Sequence, residues 1–306
     1  KLFLLDAFAL IYRGYFAFAK NPRINSKGLD TSAIFGFTNS LVEVIKNQKP
    51  SHLAVVFDTP KPTQRHVDFP SYKAQREAMP EGISNALPYI DKLLEALKIP
   101  KLYKDGYEAD DVIGTLAKKA EKKGYQVYMM TSDKDFAQLV SENIFMYRPG
   151  NKWQPTQVWG IAEVLERFKI SKVNQVIDFL AMMGDASDNI PGIAGVGKKT
   201  AQKFISEFGS IEGLFANTDK LQGKIQEKVI SSKEIGMLSK KLVTIITDVP
   251  IEFDESEMEL NISDRPKIEN LFNELEFRNI ATRIFKEESL THNHIEPEQT
   301  NTIDQN

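Results

Sequence analysis

At 306 residues the chain is long enough for one large domain or two modest ones, and its apolar and charged fractions are those of an ordinary globular protein. It has no cysteine, which excludes disulfides and thiolate metal sites and fits a reducing cytoplasm; of its four histidines, His292 and His294 lie in a polar tail. A net charge of −3 gives no sign of nucleic-acid binding, although basic residues gathered on one face could still supply it.

No apolar run approaches the roughly 20 residues that span a bilayer. The opening Lys1-Leu-Phe-Leu-Leu-Asp6 reads as a buried strand rather than a signal peptide. Tyr12, Arg13 and Tyr15 follow it, either as core or as nucleic-acid contacts, with Phe16 and Phe18 expected in the core. Residues 33–45 place Ile34, Phe37, Leu41 and Val44-Ile45 at helical spacing. Leu53-Ala-Val-Val-Phe57 is a second strand, ended by Asp58. The stretch 60–80 is basic and punctuated by prolines, with Arg65, His66, Tyr72, Lys73 and Arg76. It suits a single strand of nucleic acid, though alone it reads equally well as an exposed loop.

Helical spacing returns at 85–97 and at 112–123, the latter stopped by Gly124. Val127-Tyr-Met-Met130 is a third strand, followed by Thr-Ser-Asp133-Lys-Asp135. Strands alternating with helices predict an α/β domain over 1–160, with a mostly parallel central sheet flanked by helices. Ligands of such sheets sit beyond the carboxyl ends of the strands. From 161 to 286 the pattern becomes helical, at 161–168, 173–183, 199–208, 226–246 and, as one or two short helices, 267–285. Residues 255–264 read as acidic and irregular. Residues 287–306 are polar and read as a disordered tail or linker.

Nine acids fall at notable places: Asp6, Asp58, Glu108, Asp110, Asp111, Asp133, Asp135, Asp185 and Asp188. Taken singly, most have ordinary readings. Glu108-Ala-Asp-Asp111 suits a helix N-terminus, and Asp133-Lys-Asp135 a solvated turn. An acid directly after a buried strand, as at Asp6 and Asp58, is costly unless something pairs with it. Lys134 is the one cation interleaved with the set, so divalent ions are the simplest compensation. Oxygen ligands point to Mg²⁺ or Mn²⁺.

Asn189-Ile-Pro-Gly192-Ile-Ala-Gly195-Val-Gly197-Lys-Lys-Thr is the second signal. A nucleotide-binding P-loop is excluded, because Lys199 holds the required hydroxyl position and no strand leads in. A tight hairpin opening a helix remains, with backbone N–H groups free to hold a phosphate. Lys198, Lys199 and Lys203 add positive charge beside it.

Together these motifs resemble the 5′ nuclease domain of bacterial DNA polymerase I, a group similar to flap endonucleases and phage 5′ exonucleases. The resemblance runs from Lys1 to about Lys286. It is carried by Leu-Leu-Asp6-Ala-Phe, Val-Phe-Asp58, Tyr72-Lys-Ala-Gln-Arg76, Glu108-Ala-Asp-Asp111, Thr-Ser-Asp133-Lys-Asp135, Gly184-Asp-Ala-Ser-Asp188 through Gly197, and Asn273-Glu-Leu-Glu-Phe277. It implies a PIN/flap-endonuclease-like α/β fold with a helix–three-turn–helix region. It also implies Mg²⁺-dependent cleavage of DNA at 5′ flaps, nicks and free 5′ ends, for primer removal and repair during replication.

By the same resemblance, Asp6, Asp58, Glu108 and Asp110 hold one metal ion. Asp133, Asp135, Asp185 and Asp188 hold a second, with Asp110 between the two and Asp111 at the margin. Asp110 and Asp133 are thereby catalytic. Lys73 and Arg76 steer the scissile phosphate. Gly192, Gly195 and Gly197 grip duplex backbone, with a potassium ion possible there, and Tyr12, Arg13, Arg65 and Tyr72 contact DNA. The expected state is a cytoplasmic monomer. The linker-like tail favours tethering to a polymerase over a free-standing nuclease. A non-catalytic DNA-binding module would lack some of the acids, and a toxin-type ribonuclease would not need the hairpin region.

Overall fold

Strand β1 (Leu2–Asp6) is buried on both faces up to Asp6, which makes it a central strand. It pairs in parallel with β2 (His52–Val56) on one side and β4 (Val127–Met130) on the other. The sheet also contains β3 (Lys101–Leu102), β5 (Ile144–Arg148) and β6 (Gln157–Trp159), in the order β3-β2-β1-β4-β5-β6. Only β6 runs antiparallel. The computed structural model describes residues 1–151, 154–262 and 264–285, so the expected tail at 287–306 lies outside the described residues.

The chain leaves β1 to build β2 and β3 on one side, then returns to build β4 and β5 on the other. This reversal of strand order is a place where open α/β sheets bind ligands. The register sets Leu5 beside both Val55 and Met130. Asp6, Asp58 and Asp133 therefore emerge at one edge of the sheet.

Alternation along β1 serves two cores. Leu2 and Leu4 pack with Val112, Ile113 and Leu116 of the helix Ala109–Lys122, a cluster that runs on into the helical region through Phe179, Leu180 and Phe204. Phe3 and Leu5 face the opposite way, onto Phe37, Leu41, Ile90 and Leu93. Helices Ala7–Ala17 and Ser32–Glu43 cross on this second face at Gly14 and Gly36. A Cβ on Gly36 would stand 2.3 Å from Gly14 Cα, so the crossing needs both glycines.

The helical region holds Ile161–Phe168, Gln175–Met183, Lys198–Phe208, Gly223–Ser231 and Lys233–Val243. The 226–246 stretch is thus two helices that break at Ser232. The last helices, Arg265–Glu274 and Arg278–Phe285, do not stay with this region. Ile268, Leu271, Phe272 and Ile280 return to the Phe3–Leu5 face of the sheet. Phe16, expected in the core, is 58% exposed, because it lies at the outer end of its helix. Among the described residues no helix is long and apolar enough to cross a membrane.

Candidate active site

Most of the acids are delivered by the end of a strand or the start of a helix, and the last two by a loop. Asp6 ends β1 and caps the helix Ala7–Ala17, accepting from Ala9 N at 3.1 Å; its other oxygen accepts from Thr131 Oγ1 at 2.9 Å. Burial, with the charges of Asp58 and Asp133 added, holds its carboxyl up at about 7 despite both bonds. Asp58 accepts from Ala109 N at 2.9 Å, and burial raises its pKa too.

Glu108 caps the helix Ala109–Lys122, and Asp111 reaches back to Glu108 N at 3.2 Å. Between them Asp110 is pushed well above the ordinary carboxylate range, first by burial, then by Glu108 and Asp111. On the turn after β4, Asp133 accepts from Asp135 N at 2.9 Å. Asp135 is raised to about 8, by burial first and then by the charge of Asp133. Its Oδ1 is buried and accepts no hydrogen bond.

Asp185 and Asp188 come from the loop after Gln175–Met183. That loop is sewn to the basic stretch by Lys73 N to Asp188 O at 3.0 Å, Gln75 Nε2 to Ala186 O at 2.6 Å and Asn189 Nδ2 to Ser71 O at 2.7 Å. Lys73 pays for this contact with a left-handed backbone, φ +56°, at a residue type that seldom adopts it.

The structure corrects one premise of the sequence reading: the acids do have interleaved cations. Lys73 Nζ stands 2.7 Å from Glu108 Oε1 and 3.7 Å from Asp188. Arg76 Nη2 stands 2.6 Å from Asp188 Oδ1, and Lys134 donates to Asp185 Oδ2. That contact, with two hydrogen bonds from Ser187, draws the Asp185 pKa down although burial works against it. Spacing alone could not show this, because long side chains reach acids that lie far off in sequence.

Two expected DNA contacts are also corrected. Arg65 is 6% exposed and forks onto Asp111, with both Asp111 oxygens at 2.7 Å. Tyr72 is 3% exposed and donates to Glu108 Oε2 at 3.0 Å. Both face inward, because their stretch folds over the acids. Asp111 itself is fully buried and also accepts from Ile246 N at 2.8 Å. It is the anchor of Arg65 rather than a free ligand.

Other expected contacts stand at the surface. Tyr12 and Arg13 are half-buried, Tyr12 against Phe8 and Phe16, with Arg13 donating to Ser40 Oγ at 3.3 Å and to Gly150 O, away from the nine acids. Lys198, Lys199 and Lys203 are exposed on the helix that the hairpin opens. The three hairpin glycines differ. Gly192, at φ +65°, packs on Gly184, where a Cβ would come within 2.5 Å of Gly184 N. Gly195, at φ +77°, lies under Lys228, whose Nζ would be 2.9 Å from its Cβ. Gly197 has open space around it and caps the helix at an ordinary φ of −99°.

The sequence reading missed Thr131, whose hydroxyl both donates to Asp6 and accepts from Asp133 N at 3.1 Å. It missed Lys228 at the hairpin. It also missed Trp159, whose ring carries the guanidinium groups of Arg148 and Arg167 at 4.3 Å and 4.2 Å from its centre. The strand-forming Ile-Phe-Met-Tyr run before Arg148 was the available signal for β5.

The donors suit hard divalent cations: all are carboxylate oxygens, several are held at raised pKa, and the unbonded Asp135 Oδ1 invites a positive partner. As the side chains stand, no three histidines or acids among the described residues close round one point. Lysine and arginine ends lie between them instead.

A model of the 5′-3′ exonuclease N-terminal, resolvase-like domain matches residues 1–169, and one of the 5′-3′ exonuclease C-terminal SAM fold matches residues 171–266. The 5′-3′ exonuclease of Aquifex aeolicus (strain VF5) is 38% identical over 285 residues, 93% of this chain and 95% of that protein. DNA polymerase I of Bacillus subtilis (strain 168) is 38% identical over 286 residues, 93% of this chain but 32% of that protein. The chain thus spans about a third of the length of the curated polymerases it matches. Among solved structures, zinc-bound T5 5′-exonuclease has a TM-score of 0.64 at 21% identity, covering 92% of this chain and 99% of that one. The catalytic core of Rad2 in complex with DNA substrate has a TM-score of 0.63 at 15% identity, covering 94% and 91%. At these identities the likeness is one of fold.

Proposed function

The chain belongs to the 5′-3′ exonuclease family, and from that premise we propose that it is a 5′ nuclease that hydrolyses DNA at free 5′ ends and 5′ flaps with two Mg²⁺ ions. The observation that carries this reading is the gathering of carboxyls at one sheet edge, Asp6, Asp58, Asp110, Asp133 and Asp135, each held above the ordinary carboxylate range, first by loss of surrounding water and then by the charge of its acidic neighbours. Asp6, Asp58, Glu108 and Asp110 would hold one ion; Asp133, Asp135, Asp185 and Asp188 would hold the other. Mn²⁺ would serve as well. Bound divalent ions would supply an attacking water of lowered pKa and charge for the leaving oxygen.

The protein's own groups do the rest. Thr131 and Ala9 fix the Asp6 carboxylate, and Ala109 N fixes Asp58. Lys73 and Arg76 overhang the acids from the segment sewn to the 184–190 loop, placed to orient an incoming phosphate and to stabilise charge as it develops. The hairpin at Gly195–Gly197, with Lys198, Lys199 and Lys203, would hold duplex backbone, with K⁺ as a further ligand there. A grip on duplex at one end and on a single strand at Lys73 and Arg76 favours 5′ flaps over 3′ flaps. The relatives called DNA polymerase I make primer removal and repair beside a tethered polymerase the fitting setting.

A cleavage assay tests this, with 5′-flap, 3′-flap and single-stranded DNA labelled at each terminus in separate reactions. Cleavage near the 5′-flap junction in Mg²⁺, lost in EDTA and poor in Ca²⁺, is the expected result. Equal cutting of 3′ flaps would refute the polarity, and full activity in EDTA would refute the metal requirement.

A further inference from the structure

Lys134 lies between the two aspartates of the 133–135 turn, and its ammonium crosses to Asp185 on the neighbouring loop. The same nitrogen stands 3.8 Å from Asp135 Oδ1, the buried oxygen without a hydrogen bond. One ammonium thus serves a turn and a loop that together bring in four acids, Asp133, Asp135, Asp185 and Asp188. Asp188 is already held by Arg76 and Lys73. Lys134 is the sole ion-pair partner given to Asp185 and Asp135 among the described residues.

Its setting differs from that of Lys73. The Lys73 side chain is 18% exposed and enclosed by Glu108, Asp188 and the Tyr72 ring. The Lys134 side chain is 40% exposed, against 11% for Asp185 and 15% for Asp135. Its acids are more covered than it is, and its own stem opens to water. A lysine stem carries a compact charge on freely rotating bonds, so it can leave without disturbing the backbone.

Resting on the two-ion reading above, we propose that Lys134 is a displaceable internal counter-ion. It neutralises the Asp135–Asp185 side when no divalent ion is there, and it swings to solvent when one binds. The acids can then stay close in the metal-free protein, and ion affinity on this side is set by competition with the ammonium. Like charges left together without it would repel at short range in a partly dry site.

The test needs no DNA and no turnover. Mn²⁺ is titrated into the whole chain by calorimetry, comparing wild type with Lys134→Met and Lys134→Arg. Lys134→Met is expected to bind the weaker of its two Mn²⁺ ions roughly tenfold more tightly, since a repelling charge has gone. Lys134→Arg keeps the charge and is expected to stay near wild type. Melting in EDTA should be lower for Lys134→Met, with a larger rise on adding Mn²⁺. Lys134→Gln repeats the measurement should the methionine variant fold poorly. Mn²⁺ affinity in Lys134→Met equal to or weaker than wild type overturns the proposal while leaving the metal reading intact. No Mn²⁺ binding by any of the proteins, wild type included, removes both.

Discussion

Both guanidinium ends of Arg65 lie 2.7 Å from the two oxygens of Asp111, in a pocket where Asp111 has no exposed surface. Arg65 Nε also donates to Leu242 O at 3.0 Å and Nη2 to Thr244 O at 2.8 Å. One arginine thereby ties the basic stretch to the helix Ala109–Lys122 and to the end of Lys233–Val243. Arg65→Ala leaves the Asp111 charge buried and unpaired, and should destabilise the fold by about 3–5 kcal/mol. Arg65→Lys should recover only part of this, having lost the fork. Urea denaturation measures the loss. Normal stability with lost DNA affinity would return Arg65 to the DNA-contact role expected from sequence.

Stability without metal should depend on pH in an unusual direction. Asp6 rises from the ordinary 3.8 to about 7 and Asp135 to about 8. A group raised in the folded state binds its proton more tightly there than when unfolded. Its contribution is complete at acid pH and is lost as pH climbs through the folded value. In EDTA the melting temperature should therefore fall by several degrees between pH 5 and pH 8.5, while Asp185, whose pKa is lowered, is already ionised throughout that window. Mg²⁺ should flatten the fall, and Asp135→Asn should reduce it. A melting temperature that rises with pH in EDTA would show that these acids are not strained.

Much of this site can be read from residue order alone, where the backbone dictates it. An acid at or within a few residues of the end of a buried apolar strand must emerge at that end, so Asp6, Asp58 and Asp133 were legible. So was the glycine hairpin, since Gly195 sits at a positive φ. What was not legible depends on side-chain reach and direction. Nothing in the stretch 60–80 says that Arg65 and Tyr72 turn inward while Arg76 stays half outside. Nor does the apolar stripe of Ile268, Leu271 and Phe272 say which of two cores it joins. Strands β3 and β6 are two and three residues long, too short to show alternation.

Lys73→Ala and Arg76→Ala should each slow cleavage more than they weaken duplex binding. Loss of one donor to developing charge costs about 10²–10³ in rate. Lys73 should be the more damaging, because it also holds Glu108 at 2.7 Å, whereas Arg76 is 55% exposed. Single-turnover cleavage of a 5′-flap substrate beside a binding titration in Ca²⁺ separates the two effects. Equal losses in rate and affinity would make these residues simple phosphate contacts.

The hairpin glycines should part company on substitution. Gly195→Ala forces a side chain into φ +77° and against Lys228, so it should cost both stability and duplex affinity. Gly197→Ala meets nothing within 4 Å in the protein, so it should leave the melting temperature within about 1 °C and weaken only duplex binding. Lys199→Ala should lower the slope of log affinity against log salt by about one. An unchanged slope would make Lys199 ordinary solvated surface.

The sewing of the 184–190 loop to residues 71–76 also concerns timing. A chain made from its N-terminus exposes Asp6, Asp58 and the Glu108–Asp111 group long before Asp185 and Asp188 exist. Lys73 and Arg76 lack their partner at Asp188 until that loop arrives, since Asp188 O receives Lys73 N and Asp188 Oδ1 receives Arg76. A half-synthesised chain therefore holds the acids of the sheet but not the closed constellation. On the proposed function, cleavage would await the docking of the helical region on a finished sheet.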